Sequence, residues 1–126
     1  RRRAALTDRL RGALAHQAGA LAEAQVARHY AARGLAVHAT RWRGQGGEID
    51  LILRDGAGFV FVEVKRAREL SAAALRLRPA QMARLLVAAE EFLGAQPAGL
   101  ATPARFDVAL VDGQGRLEVI ENALSG

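Results

Sequence analysis

Apolar and polar positions change period along the chain, and these changes divide its first half into one helix and three strands. Residues 17–33 are rich in Ala and are followed by Gly34, which is typical of a helix with a glycine C-cap. Alternation then predicts strands over residues 35–41, 48–54 and 59–65. The turn at 55–58 joins the last two strands into a hairpin.

The second half repeats this change of period. After a loop at 66–78, Pro79 suits a first helical position, and apolar residues at helical spacing continue to Gly94. Alternation predicts two more strands, over 106–110 and 116–120. We therefore expect an α/β domain spanning 17–126, with a central mixed sheet flanked by helices in the order α-β-β-β-α-β-β. Residues 1–16 form a basic lead-in that need not be well ordered.

Composition excludes several classes of protein. The 126 residues include no cysteine, so a disulfide framework and a thiolate metal site are both excluded. No uncharged apolar run approaches 18 residues, and no apolar block follows the N-terminal arginines as a signal peptide requires. We expect a cytoplasmic protein without a membrane partner.

Charge is distributed unevenly. Residues 1–45 contain nine Arg against two acids, whereas residues 46–126 contain nine basic residues against eleven acids. A basic half and an acidic half indicate a polyanion partner and a separate cation site, although Arg-rich surfaces can also be merely solvated. Of the eighteen basic residues only Lys65 is Lys, a compact ammonium whose pKa can shift.

The hairpin is expected to bring acidic side chains together. With its turn centred between Gly56 and Ala57, Asp50 faces Glu63 and Glu48 faces Lys65. Opposed carboxylates on strands this apolar repel each other, and a divalent cation would convert that repulsion into coordination. Oxygen ligands favour Mg²⁺ or Mn²⁺. An ordinary salt-bridge cluster is the alternative, and a register shift of one residue would separate the acids.

Glu23 is a third carboxylate of interest, because it is the only acid between Asp8 and Glu48. Its helical neighbours are small or apolar, which places it on the face that packs on the sheet. Such a carboxylate requires a partner, and a metal, its water or a nearby Arg are candidates. Alternatively, Glu23 lies at the helix edge and reaches solvent.

These segments carry a resemblance to known proteins. Asp50, followed after twelve residues by Glu63-x-Lys65, resembles the signature of the restriction-endonuclease-like superfamily of metal-dependent nucleases, whose core has a similar α-β-β-β-α-β order. More narrowly, the segments 47–52, 59–65 and 105–108, with Gly19-x-x-x-Glu23 and Tyr30, resemble the YraN-like family of bacterial proteins over residues 17–124.

The resemblance implies a Mg²⁺- or Mn²⁺-dependent endonuclease that acts on nucleic acid, DNA more than RNA, with branched or structured substrates included. Asp50, Glu63 and the backbone carbonyl of Val64 would hold the metal, and Lys65 would position the attacking water and stabilise developing charge. Glu23 would act through water or a second ion. Gln81 stands where the family usually has Lys, so it can orient a phosphate or water without adding charge.

Basic residues that border this site in sequence are the candidates for phosphate contacts: Arg41, Arg43, Arg66, Arg68, Arg76, Arg78 and Arg84. Trp42 can stack on a base, although a role in the core or at its edge is favoured. Two other functions stay open. One is a nucleic-acid-binding module that has lost turnover, which Gln81 favours, and the other is a protein-interaction scaffold. A homodimer is compatible with the short chain and its basic segment.

Overall fold

The computed structural model describes residues 2–68, 70–71 and 77–124, with side chains described from Ala4 onward. The predicted order α-β-β-β-α-β-β is confirmed, with one short 3-10 turn at Gly99–Ala101 before the fourth strand. The elements are α1 (Arg2–Ala31), β1 (Ala36–Arg43), β2 (Glu48–Asp55), β3 (Gly58–Ala67), α2 (Pro79–Gly94), β4 (Ala104–Asp112) and β5 (Leu117–Ile120).

All five strands form one mixed sheet in the order β1-β2-β3-β4-β5. Neighbouring strands are antiparallel except β3 and β4, which are parallel. A parallel pair requires a crossover connection, and α2 supplies it. The architecture is therefore α/β with a central mixed sheet between two helices, consistent with a restriction-endonuclease-like fold.

Each face of the sheet carries its own apolar cluster. On one face, Val26 and Tyr30 of α1 pack against residues that include Leu51, Val60 and Val62. On the other face, α2 packs against side chains that include Ile52, Phe59, Phe61 and Leu110. Because both faces are covered, a charged side chain on β2 or β3 lies close to low-dielectric surroundings unless it is near a strand end.

The predicted helix start at residue 17 is wrong, because α1 begins at Arg2. The added turns are rich in Ala, Leu and Arg, which are among the strongest helix formers. The prediction relied on periodic burial, and every described residue from Ala4 to Gln17 is exposed. Intrinsic propensity, rather than packing on the sheet, accounts for the helical conformation here.

The β1–β2 loop is attached to α2. Both oxygens of the Glu91 carboxylate accept hydrogen bonds from this loop, from the backbone N–H groups of Gln45 at 2.9 Å and Gly46 at 2.7 Å. A Cβ on Gly46 would lie 2.4 Å from a methyl carbon of Val87, so only glycine allows this approach. The loop that leads into β2 therefore rests directly on the helix.

A buried polar cluster joins α1 to β4. Asp107 is fully buried, and its carboxylate accepts hydrogen bonds from the Tyr30 hydroxyl at 2.7 Å and the Asn122 N–H at 2.9 Å. The Arg105 guanidinium also donates to both carboxylate oxygens. Burial, which outweighs the other influences, and donation to Asp107 raise the pKa of Tyr30 far above its ordinary value. This cluster holds the first helix on the sheet.

Candidate metal centre

The β2–β3 register is the predicted one, with Leu51 opposite Val62 and Ile52 opposite Phe61. The recorded backbone pairs end at Leu51 and Val62, one position before Asp50 and Glu63. There, the Val64 N–H donates to Asp50 Oδ2 at 2.8 Å. A carboxylate thus takes the place of a backbone acceptor where the ladder stops, and the acid pair lies at the end of the hairpin.

The two acids are half-buried neighbours. Burial raises the pKa of Asp50 to about 6. The Val64 N–H acts in the opposite direction and lowers this pKa, whereas the negative charges of Glu23 and Glu48 raise it further. Burial and then the charge of Asp50 raise the pKa of Glu63 to about 7. Because the two carboxyls interact directly, they take up and release protons as a pair, and both pKa values are raised.

Helix α2 closes the other side of this site. Gln81 Nε2 donates to Glu63 Oε1 at 2.9 Å, so Gln81 contacts the acid pair, and its role in orienting a phosphate or water stays a prediction. Gln81 and Arg84 line a cleft of about 220 Å³ together with Asp50, Glu63 and Glu48. Because the amide is neutral, it satisfies one oxygen of Glu63 without compensating its charge.

Lys65 provides that compensation from within β3. It lies two residues beyond Glu63 on the same strand, hence on the same face, and its positive charge lowers the pKa of Glu63. The predicted opposition of Glu48 and Lys65 falls beyond the recorded β2–β3 pairs and stays a prediction. Two carboxylates and one ammonium therefore converge at the end of the hairpin.

Glu23 contacts an arginine. Both of its carboxylate oxygens accept hydrogen bonds from Arg41 Nε, at 3.1 and 3.2 Å, which corresponds to the nearby-Arg alternative of the sequence analysis. Glu23 still acts on the acid pair through its charge, which raises the pKa of Asp50. Arg41 has a backbone φ of 49°, a left-handed conformation that costs about 1–3 kcal/mol in a residue other than glycine.

The other candidate contact residues are spread over both faces of the sheet. Arg84 lines the acid cleft, whereas Arg66 and Arg68 line a separate groove beside α1, because Arg66 alternates with Lys65 along β3. Arg43 and Arg78 are exposed at the end of β1 and immediately before α2. Arg76 lies outside the described residues. Arg66 and Arg68 therefore lie apart from the acid cleft, and their contact with phosphate stays a prediction.

Trp42 has the favoured role at the edge of the core. It is partly buried, and its ring contacts Phe92 edge-on, with centroids 5.6 Å apart. Phe92 is also edge-on to Phe59 and Phe61, so the indole extends an aromatic cluster beneath α2. Stacking on a base is not needed to account for this side chain.

The donor set fits a hard divalent cation. Among the described residues, no three Asp, Glu or His side chains are grouped so that they could hold a metal. A cation in this cleft would have the two carboxylates of Asp50 and Glu63 as its side-chain ligands. Mg²⁺ is commonly held by one or two carboxylates, with waters and substrate phosphates completing its shell. A cation would compensate the negative charge of both carboxylates, and the Val64 carbonyl stays a predicted third ligand.

Sequence reasoning missed three features of this site. The Glu91 contacts that fix the β1–β2 loop join positions that are 46 and 45 residues apart, and no local pattern signals them. The left-handed backbone of Arg41 also has no signal, because Gly or Asn would be expected at such a position. Gln81 was singled out by the family resemblance, and its hydrogen bond to Glu63 was not predicted.

Comparison with known proteins identifies the family. The model of uncharacterised protein family UPF0102 matches residues 22–111, which include Asp50, Glu63, Lys65 and Gln81. The match confirms the resemblance to YraN-like proteins at the level of the family. In neither described helix are length and apolar character sufficient to cross a membrane.

Relatives in several bacteria resemble the chain over nearly its whole length. A UPF0102 protein of Cereibacter sphaeroides (strain ATCC 17025) is 54% identical over 114 residues, covering 90% of this chain and 97% of the relative. One of Ruegeria pomeroyi is 56% identical over 113 residues, covering 90% and 92%, and one of Roseobacter denitrificans is 51% identical over 114 residues, covering 90% and 88%. The chain therefore belongs to protein family UPF0102.

Proposed function

We propose that this protein is a Mg²⁺- or Mn²⁺-dependent endonuclease that hydrolyses phosphodiester bonds in nucleic acid, DNA in preference to RNA. One observation carries the proposal: Asp50 and Glu63 are half-buried side by side at the end of an interrupted β-ladder, with Lys65 on the same strand. As a structural pair the two acids are costly, because burial and mutual repulsion raise the pKa of Glu63 to about 7. That cost is typical of a site built for a ligand.

The cation's place is set by the protein's own hydrogen bonds. The Val64 N–H fixes Asp50 through Oδ2, and the Gln81 amide fixes Glu63 through Oε1. The remaining oxygen of each carboxylate is the one available to a cation. Because these hydrogen bonds hold both carboxylates in place, the side chains need to move little when a cation binds. Hydrogen bonds to metal ligands commonly orient them in this way.

The remaining side chains act on the substrate. Lys65 places an ammonium beside the acid pair, where it stabilises negative charge that develops on a phosphate and orients a water molecule through its N–H donors. Arg84 is at the rim of the same cleft and supplies a guanidinium for a neighbouring phosphate. When bound, a divalent cation polarises the phosphate and lowers the pKa of the water.

The test is a cleavage assay on linear duplex, single-stranded and branched DNA and on the matching RNAs, each with Mg²⁺, Mn²⁺ or EDTA. We expect cleavage that requires the metal and that is lost in Asp50→Asn and Glu63→Gln. Both substitutions keep side-chain size, and Asn can still accept from the Val64 N–H. The exposed carboxylates Asp55 and Glu90 provide matched controls, Asp55→Asn and Glu90→Gln.

Mn²⁺ affinity, measured by calorimetry, gives a readout apart from turnover. We expect one site in the wild type and in both controls, and a loss of at least tenfold in affinity in Asp50→Asn. Cleavage that persists in EDTA or in Asp50→Asn would contradict the mechanism. Absence of Mn²⁺ binding to the wild type would remove the cation from the proposal.

A second candidate function is a nucleic-acid-binding module without turnover. The observation that favours it is Gln81, which donates to Glu63 as a neutral amide and brings no charge to the cleft. Gln81→Lys would restore the positively charged side chain that the family pattern usually has at this position. If the wild type binds nucleic acid but cleavage appears only in this variant, the binding module is the correct description.

A further inference from the structure

Leucines form an exposed stripe along the N-terminal half of α1. Leu6, Leu10 and Leu14 are four residues apart and therefore lie within about 80° of arc on the helix. Their exposed fractions are 57%, 57% and 64%. Every described residue from Ala4 to Gln17 is also exposed, so this segment of roughly 20 Å is not covered by the sheet, although the Arg41 guanidinium of β1 reaches His16 Nδ1 at 3.4 Å.

This helical segment depends on intrinsic propensity, because its side chains gain little from packing on the sheet. Its first turn contains no acidic residue that would interact favourably with the helix dipole. Isolated helices of about 12–15 residues are marginal in water even with strong helix formers. Three aligned leucines on such a segment indicate a surface that another molecule covers.

A groove that matches the stripe lies further along the same helix. It has a volume of about 600 Å³ and separates α1 from the ends of β3 and β4. Small side chains, Ala18 and Ala22, form its helical wall, Leu21 stands exposed beside them, and Val111 lines the opposite side. Gln25 also donates to the Gly115 carbonyl, which ties the β4–β5 turn to the helix. Holes between small residues are what leucine knobs fill.

We propose that the leucine stripe of one copy docks in this groove of a second copy, giving a symmetric dimer through antiparallel α1 helices. A chain cannot fill its own groove, because stripe and groove belong to one continuous helix from Arg2 to Ala31. In an antiparallel pair, Leu14 meets Leu14 at the two-fold axis, Leu10 then faces Ala18, and Leu6 lies at the mouth of the groove above Ala22, whose own side chain is buried. The same surface serves both copies, as a two-fold interface requires.

The buried area reaches what a specific dimer needs. The three stripe leucines and Leu21 together expose roughly 400 Å² per copy, as much as the largest apolar patch on a typical monomer. A two-fold pair covers the stripe and the groove of both copies, roughly 1,000 Å² in total, which is about the minimum for a specific interface and fits a dimer that dissociates on dilution.

The arginines around the stripe and the groove allow a second copy of the chain to be distinguished from a polyanion as the partner. Arg9 and Arg11 flank the stripe, and Arg66 and Arg68 form the rim of the groove, so the docked surfaces carry like charges. Salt screens that repulsion, and the dimer strengthens as salt is added. Nucleic acid or an anionic lipid surface on the same helix would instead be bound more weakly at high salt.

The first experiment is sedimentation of the full chain over about 1–200 µM in 0.1 and 0.5 M NaCl, a concentration range suited to interfaces near the lower size bound. We expect a monomer–dimer equilibrium that tightens at the higher salt. Leu10→Glu with Leu14→Glu should weaken it at least 100-fold. Ala5→Glu with Ala15→Glu adds the same charge to the other side of the helix and should change it less than threefold.

The second experiment tests the geometry and uses the absence of native cysteine. Leu14→Cys should form a disulfide-linked dimer under mild oxidation. Leu10→Cys and Ala18→Cys should cross-link only when the two variants are mixed. All three side chains lie on the exposed or half-exposed surface of α1, so these variants are expected to fold, and circular dichroism checks this.

Three results would overturn the dimer: a monomer at 200 µM in both salts, equal weakening by the two double-glutamate variants, or cross-links that ignore the predicted pairs. Association that appears only with added DNA or with phosphatidylglycerol vesicles would assign the stripe to that ligand instead. None of these outcomes depends on nuclease activity.

Discussion

Two carboxylate sites in this molecule show opposite relations between burial and hydrogen bonding. Asp107 is fully buried, yet donors from Tyr30, Arg105 and Asn122 surround it. Asp50 and Glu63 are only half-buried, yet they face each other, and burial raises the pKa of both. Burial alone therefore does not mark a functional carboxylate. The distinguishing property is that Lys65 compensates the charge of the acid pair only in part, so that both pKa values stay raised.

The largest expected effect removes the compensated carboxylate. Asp107→Ala leaves the Tyr30 hydroxyl and the Arg105 guanidinium without their acceptor, and we expect it to lower the free energy of unfolding by about 3–5 kcal/mol. Asp50→Asn removes repulsion and should leave the apo protein as stable as the wild type or more so. Urea denaturation of both variants measures the difference. Equal destabilisation would show that the two sites do not differ in kind.

For cleavage activity we expect the opposite ranking, with the acid pair more sensitive to substitution than the Asp107 cluster. Lys65→Ala and Asp50→Ala are expected to reduce metal-dependent cleavage by ~100-fold or more while the fold is kept, because the charge that stabilises the reacting phosphate or holds the cation is gone. Tyr30→Phe deletes one hydrogen bond to Asp107 and should cost only about 1 kcal/mol of stability, with unchanged turnover per folded molecule. Cleavage rates normalised to the folded fraction decide between these outcomes.

The response to pH has a definite sign. In EDTA the acid pair binds a proton in the native state at a pH where the unfolded chain has released it, because both pKa values are raised. The native state therefore gains stability, about 1–2 kcal/mol, as pH falls from 7.5 towards 5. Asp50→Asn should flatten this dependence. A wild type whose stability falls over the same interval would contradict the raised pKa values.

Another buried carboxylate should act at lower pH and with the opposite sign. Burial opposes ionisation of Asp112, but donation from the N–H groups of Arg116 and Gln114 and from the Arg116 guanidinium lowers its pKa. Its contribution to stability is present above the ordinary aspartate pKa and is lost as pH falls below that value. The stability of the wild type should consequently pass through a maximum between the two effects.

The smallest expected effect concerns arginines near each kind of carboxylate. Arg84 lines the acid cleft, whereas Arg116 is paired with Asp112. Arg84→Ala should weaken DNA binding a few-fold and reduce the slope of log affinity against log salt by about 0.9, the value of one phosphate contact. Arg116→Ala should leave the slope unchanged. Fluorescence anisotropy over a salt series measures both, and identical slopes in all three proteins would exclude Arg84 from the interface.

Local pattern was sufficient for most of the fold and for the heart of the site. The hairpin register followed from the turn at Gly56 and from the alternation of apolar residues, and it brought Asp50 beside Glu63. The same reasoning could not show where Arg66 points relative to α1 or that Arg41 pairs with Glu23. These depend on how distant elements pack, and the alternation of a strand only assigns residues to faces.

The start of α1 shows the complementary limit. A period in apolar residues reveals a helix that packs, but residues 4–17 are helical and all exposed. Its leucines were visible in the sequence, and their exposure was not. Only the structure shows that they are unused by the fold, which is what makes them informative about a partner.

The contact between the β1–β2 loop and α2 has a mechanical consequence. Glu91 and Gly46 join the entrance of β2 to the helix that carries Gln81, so the two walls of the acid cleft are fastened to each other a few residues away from it. The distance between those walls is therefore set by hydrogen bonds that lie outside the cleft. A methyl group at Gly46 would push the loop away from α2 and would change the spacing of Asp50 and Gln81 without touching either residue.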